Sequence, residues 1–242
     1  MKTEKETLKY FLDMSLADTT GVFNEFKKID NHIFREEKNS QRRFIYIEGS
    51  KENKVVLVAH ADTVWDGEYY YDQTVIERDG FFVGKNQLNT GIGADDRAGC
   101  AILWELRNSG HSLLITDGEE RGCIGTKWLM NENPDIVEKI NQHLFMIEFD
   151  RRNATDYKTY NVGSQEFHEF IEEETGYTMP NKTSTTDITH LCKKICGVNL
   201  SVGYYDEHHS YERINIAEWQ NTLAISRKLL SKDLSKVFVL NK

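Results

Sequence analysis

Apolar positions along this chain follow two periodicities that alternate almost from end to end. Residues 4–13 carry apolar side chains at helical spacing, and a second helical pattern covers Gly21–Ile29. Arg43–Glu48 (Arg-Phe-Ile-Tyr-Ile-Glu) alternates as a strand, and the polar Gly49–Asn53 turn leads into a strand over Lys54–Ala59. Tyr69–Tyr71 and the run from Thr74 to Gly84 predict a hairpin with Asp79-Gly80 at its turn. Helical spacing returns from Asp96 or Arg97 to Asn108, with Gly110 just past the end. Ser112–Thr116 then reads as a strand, Thr126–Asn131 and Asp135–Gln142 as helices, and Leu144–Phe149 as a strand ending in Asp150. Helices over Gln165–Thr175 and Asp187–Cys196, a strand over Val198–Tyr204 and a long helix from Ile216 to about Leu230 complete the pattern.

Strands buried on both faces read as short apolar runs, and their alternation with helices predicts an α/β fold. The expected architecture is a mixed, mostly parallel central sheet flanked by helices on both faces. No repeat, low-complexity tract or linker divides the sequence, so residues 1–242 read as a single domain, with N-terminal helices of about residues 4–30 packing on it. A chain of this length can bury a sizeable core without staples.

Charge and cysteine content narrow the function classes. A formal net charge of −9 argues against sequence-independent binding to nucleic acid or to an anionic membrane, both of which need basic surface. No stretch is apolar for long enough to span a bilayer, and the N-terminus leads into no signal-peptide core, so the expected compartment is the cytoplasm. The cysteines at 100, 123, 192 and 196 form no disulfide framework. Cys192 and Cys196, with His190 close by, lie at a spacing that fits a helix face and lack a second pair; they read as buried free thiols rather than as a zinc knuckle.

The candidate chemistry lies where apolar runs end. Val55–Gly125 contains His60-Ala-Asp62, then Gly-Ala-Asp95-Asp96-Arg-Ala-Gly, then Asp-Gly-Glu119-Glu120-Arg-Gly. The first and third follow strands, where an open α/β sheet delivers its active site. His60 and Asp62 are two apart in extended chain and point the same way, so Asp62 can fix the tautomer that frees the other ring nitrogen for a metal. Asp95 and Asp96 precede a helix: capping suits both, Asp96 above all, while Asp95 could bridge two cations with its two oxygens. Adjacent Glu119 and Glu120 point in different directions, so one can bind a metal while the other takes a proton from water. Asp150 and His208 end two later strands.

This ordered series, with Glu212 following His208, resembles the dinuclear zinc peptidases of the M20/M28 clan over roughly residues 55–215. The resemblance implies a zinc-exopeptidase fold (phosphorylase/hydrolase-like) and a water activated by two divalent ions, zinc first with manganese or cobalt as alternatives. It implies that His60 and Asp150 bind one metal, Glu120 and His208 the other, and that Asp95 bridges them. It makes Glu119 the general base and Asp62 the residue that orients His60, with the Asp95–Asp96 peptide often cis. His-x-x-x-Glu in the family matches His208 and Glu212, leaving His209 as the alternative ligand. Thr186-Asp187 resembles a Thr/Ser-Asp pair of the clan and is taken as supporting structure.

Many M20 members carry a lid or dimerisation domain after the Asp ligand, and residues 151–207 leave no room for one. The layout therefore resembles the M28 aminopeptidases, and the expected activity is aminopeptidase-like cleavage of short peptides. An N-acyl amino acid deacylase of the same chemistry is the alternative, with a non-catalytic binding protein as a third reading. Trp65, Tyr69–Tyr71 and the Phe167/Phe170 face are candidate pocket walls. Substrate preference and oligomeric state are not legible in the sequence.

Overall fold

The computed structural model describes residues 2–67, 74–86, 89–180 and 186–240. The chain begins with α1 (Glu4–Leu12), α2 (Thr20–Phe26), β1 (His32–Glu36), β2 (Arg43–Ile47), β3 (Val56–His60), β4 (Val75–Arg78) and β5 (Phe81–Gly84). It continues through α3 (Ala94–Leu106), β6 (Ser112–Thr116), α4 (Ile124–Glu132), α5 (Pro134–Ile140), β7 (Met146–Arg151) and β8 (Tyr157–Lys158). It closes with α6 (Gln165–Thr175), α7 (Asp187–Leu191), β9 (Gly197–Ser201), β10 (Tyr204–Tyr205), β11 (Arg213–Asn215) and α8 (Ile216–Leu230).

The main sheet has the order β1-β2-β6-β3-β7-β9-β8. Its central strands β6, β3, β7 and β9 are parallel, while β1, β2 and β8 run antiparallel at the margins. A smaller antiparallel sheet has the order β10-β11-β5-β4. β3, β6 and β9 are buried along their whole length, as strands covered on both faces must be. One helix layer groups α1, α3 and α8; the other groups α4, α5 and α7. The expected mixed sheet flanked by helices is thus the observed one. Among the described residues no helix is long and apolar enough to cross a membrane.

Local sequence explains most boundaries. Thr3 and Glu6 form a reciprocal capping box on α1, Asn215 accepts the amides of Ala217 and Glu218 at the start of α8, and Ser164 caps α6. Asp79 and Gly80 both take positive φ at the β4–β5 turn, the conformation that hairpins joined by two residues favour. Tyr69–Tyr71 lie outside the described residues.

Three expectations need correction. The helix expected over Asp187–Cys196 stops at Leu191, because the buried Asn141 side chain takes over the next turn's hydrogen bonds. Its amide donates to the Leu191 carbonyl (3.0 Å), and its oxygen accepts from Lys193 and Lys194 (2.8 and 3.0 Å). Cys192 and Cys196 therefore share no helix face, although both are buried free thiols. The strand expected over Val198–Tyr204 breaks at Gly203, where φ is +90°, and its end passes into the second sheet as β10. Finally, Met146–Arg151 runs two residues further than expected, so Asp150 sits within β7 rather than past it.

The parallel core fixes where the chemistry can assemble. His60 pairs in register with Thr116, and β7 runs beside β3, so the C-terminal ends of β3, β6 and β7 open on one edge. Helix α3 lies across β3 and β7 with its first turn at that same edge. The fit is close at Gly99, where a β-carbon would stand 2.2 Å from the Phe149 carbonyl and 2.5 Å from both Asp96 carboxylate oxygens. Gly99→Ala is therefore expected to destabilise the protein by about 1–3 kcal/mol, the usual cost of overpacking a filled core. Denaturant unfolding reads this directly, and a stability within error of the parent would show that α3 can shift away from β7.

Candidate metal centre

His60, the last residue of β3, is fully buried. Its Nδ1 lies 3.0 Å from the Asp62 carbonyl and 3.3 Å from the Asp62 carboxylate, both acceptors. That arrangement puts the ring proton on Nδ1 and leaves the Nε2 lone pair free. Nε2 faces Asp95 Oδ1 and Asp150 Oδ1, each at 3.3 Å. The Asp62 carboxylate has a second task that the sequence did not reveal. Its two oxygens accept the backbone amides of Glu119 and Glu120, each at 3.1 Å, and so tie the end of β6 to the end of β3.

Asp95 stands between two sets of groups. Its Oδ1 faces His60, while its Oδ2 lies 3.3 Å from His208 Nε2. His208 Nε2 is also 3.0 Å from Glu120 Oε1. The Asp95–Asp96 peptide is cis. Asp96 turns inward, accepting the amides of Gly99 (2.9 Å) and His60 (3.2 Å), so it caps the regular part of α3 and joins it to β3. On the far side, Asp150 receives hydrogen bonds from Thr186 Oγ1 (3.0 Å) and the Tyr204 hydroxyl (3.3 Å). The next residue, Asp187, accepts from Thr116 Oγ1, which agrees with a supporting role for this pair.

Two groups of side chains thus converge: His60, Asp95 and Asp150, and Asp95, Glu120 and His208. Within each, one candidate ligand atom per residue lies within 4.8 Å of the others. His208 faces the cluster, whereas His209 Nδ1 sits 2.8 Å from the Glu207 carbonyl and its ring packs on Tyr211. Glu119 does not belong to either group; it lies half-buried beside them, its carboxylate 3.8 Å from Cys123 Sγ.

The donor set fits divalent cations. It offers imidazole nitrogens and carboxylate oxygens without thiolate, the chemistry of zinc, manganese or cobalt sites. Two of its buried atoms, His60 Nε2 and Asp95 Oδ1, make no hydrogen bond, which is costly unless another partner takes their place. Electrostatics point the same way. Burial pushes the Glu119 carboxyl up to about 9, with Asp150, Asp187 and Asp95 adding to the rise against His60. Burial, reinforced by Asp95, raises Asp150 to about 7. Burial works against charging Asp95 as well, but His208 and His60 hold its carboxyl well below the usual range. His208, beside Asp95 and Glu120, is raised to about 11. Positive charge is what this pocket needs.

Two further residues hold the site. Glu212, fully buried, accepts the backbone amides of Ile92 (2.9 Å), Gly93 (2.8 Å) and Asp95 (3.0 Å), fastening the loop that carries the shared carboxylate. Asn199 of β9 pairs with the backbone of Asp150, accepting its amide at 3.0 Å and donating to its carbonyl at 2.9 Å. Sequence reasoning missed Asn199; an asparagine inside the apolar run Gly-Val-Asn-Leu-Ser was the available signal. The proposed aromatic walls also need correction. Phe167 and Phe170 pack with Phe145 and Phe238 in the core, and among the described residues the aromatics that line the pocket are Tyr160 and Tyr204. Trp65 is buried near Gly91 and Glu212, and it is not among the residues lining that pocket.

Comparison with known proteins places this geometry in context. The family model described as peptidase family M28 matches residues 45–189, more than half of the chain. No curated protein sequence gives a significant match. Among solved structures, the chain is similar to aminopeptidase PepT from Bacillus cereus, at 14% identity and a TM-score of 0.67, covering 95% of this chain and 98% of that one. It is also similar to a tripeptidase from Staphylococcus aureus, at 14% identity and a TM-score of 0.68, with coverage of 96% and 98%. Aminopeptidase APDkam598 from Desulfurococcus kamchatkensis aligns at 13% identity and a TM-score of 0.64, with coverage of 94% of each chain. At these identities the structural matches speak to the fold.

Replacing Glu212 by Gln keeps its shape but puts an NH2 group against backbone amides. The variant is expected to lose about 1–3 kcal/mol of stability, the cost of leaving a buried donor unpaired. Denaturant unfolding is the measurement, and a Gln variant as stable as the parent would show that the carboxylate does not hold the Asp95 loop.

Proposed function

Because the chain belongs to peptidase family M28, we propose that it is a metal-dependent exopeptidase of aminopeptidase type, using the site around Asp95. In this reading His60, Asp95 and Asp150 hold one divalent ion, and Asp95, Glu120 and His208 hold a second. The observation that carries it is the position of Asp95, whose two carboxylate oxygens face the two histidines of different groups. Zinc is the leading candidate, with manganese or cobalt as alternatives. Bound divalent ions would supply Lewis acidity to a substrate carbonyl and lower the pKa of a water.

The chain's own residues do the rest. Glu119 takes a proton from the attacking water and returns it to the leaving amine. Burial raises its pKa, and the positive charge of bound cations would draw it back down so that the carboxylate is ionised and poised to accept a proton. Asp62 is a positioning residue on two counts, since it orients the His60 ring and holds the Glu119 and Glu120 amides. Thr186 and Tyr204 keep Asp150 turned toward His60. The buried free thiols suit a reducing compartment, the cytoplasm, and the described residues act as one catalytic domain.

Glu119→Gln is expected to keep the bound metal and to lose turnover by about 10²–10⁴-fold, the usual contribution of a positioned general base. Metal analysis and a panel of aminoacyl chromogenic substrates with N-acyl amino acids read both quantities. Near-parental activity in this variant removes Glu119 as the base. Treatment with a chelator is expected to abolish activity, and zinc, manganese or cobalt to restore it. Activity that survives complete metal removal contradicts the metal-dependent reading, and turnover confined to N-acyl substrates identifies a deacylase instead.

A further inference from the structure

The pocket that opens onto the metal-binding groups has a volume of about 220 Å³. Carboxylates dominate its wall, yet Arg151 and Arg152 also line it, directly after Asp150 in the chain. The two arginines are used differently. Arg151 is buried, with Nη2 3.6 Å from Asp156, and so belongs to the interior. Arg152 is half-exposed, and among the described residues one of its N–H groups bonds Glu207, the residue before His208. The rest of its guanidinium fork is uncommitted among the described residues.

The root of Arg152 is fixed. Its carbonyl accepts from Ser201 Oγ at 2.6 Å, the preceding carbonyl accepts from Val202 (2.9 Å), and the following amide donates to Tyr204 (2.9 Å). A rigidly rooted guanidinium with free donors, on the wall of an acidic pocket, is suited to take a carboxylate in bidentate fashion. Elsewhere on the wall an incoming anion meets Asp95, Glu119, Glu120 and Asp150, and His208 is already engaged by Asp95 and Glu120. Glu207 takes one N–H of Arg152 and competes for its charge, while the backbone bonds around residue 152 fix where the side chain starts. Arg152 lines the same pocket as Asp95, Glu120 and Asp150, so a main-chain carboxylate held there belongs to a substrate with few residues between that end and the metal-binding groups.

We propose that Arg152 anchors the free α-carboxylate of a short peptide, which makes di- and tripeptides with unblocked C-termini the substrate class. This rests on the peptidase reading above, and binding measurements separate the two. Calorimetry on the metal-loaded enzyme would use Ala-Ala with a reduced peptide bond, as the free acid and as the C-terminal amide. A third ligand, the corresponding Ala-Glu amide, carries its carboxylate on the side chain. The parent protein is expected to bind the free acid about tenfold or more tightly than the Ala-Ala amide, as one charge-assisted contact warrants.

In Arg152→Met that ratio is expected to fall to about one. Glu207→Gln, which removes the competing carboxylate, is expected to keep a ratio at least as large as the parent's. Arg152→Lys, a point charge without the fork, should fall between. An acid-to-amide ratio near one in the parent overturns the proposal, as does a ratio that survives in a folded Arg152→Met. Binding of neither ligand overturns it, and so does full recovery of the preference by the Ala-Glu amide. Selective binding of the acid without turnover of unmodified Ala-Ala supports the anchor while sinking the peptidase reading.

Discussion

The constraint to which the rest of this structure answers is the concentration of ionisable side chains in one small, largely buried volume. Asp95, Glu119, Glu120 and Asp150 share it with His60 and His208. Burying one carboxylate is costly, and burying several side by side is tolerated only where each is hydrogen-bonded, paired or bound to a cation. Much of the surrounding chain meets the first of these conditions. Asp62 gathers two amides, Asp96 two more and Glu212 three, while hydroxyls from Thr186 and Tyr204 reach Asp150. What those bonds do not cover, chiefly His60 Nε2 and Asp95 Oδ1, is where the proposed metal ions would find their ligands.

The fold makes such a site possible by bringing three parallel strand ends and one helix start to the same edge. Supporting ties reach well beyond the pocket. Thr19 and Arg43 both engage Asp117, just ahead of Glu119, and Arg97 donates to the carbonyls of Ser15 (3.0 Å) and Asp18 (3.2 Å). The segment between α1 and α2 is thereby locked behind the loops that carry Asp95 and Glu119. A site of this kind depends on the neighbours that hold each ligand still as well as on the ligands themselves.

How much of this could be read in the sequence varies by element, for physical reasons. β3, β6 and β7 are apolar enough to announce themselves, and their chemistry follows directly in His60, Glu119-Glu120 and Asp150. The edge strand β1 is only half-buried and β8 and β11 span two or three residues, so none carries a usable period. The early end of α7 depends on Asn141, fifty residues away in the chain, and no local propensity registers such a bond. The same holds for the second task of Asp62 and for Asn199, which act across strands. The four-residue spacing to Glu212 favours His208 over His209, and His208 turns its Nε2 toward Glu120 and Asp95 from a backbone φ of +63°, a state no spacing rule reveals.

The claim that Asp95 is shared by two cations is open to direct test by anomalous diffraction from crystals grown with zinc. Two peaks are expected, one contacting His60, Asp95 and Asp150, the other Asp95, Glu120 and His208. A single peak, or two peaks that leave Asp95 unligated, would contradict the assignment of a dinuclear centre bridged by that carboxylate.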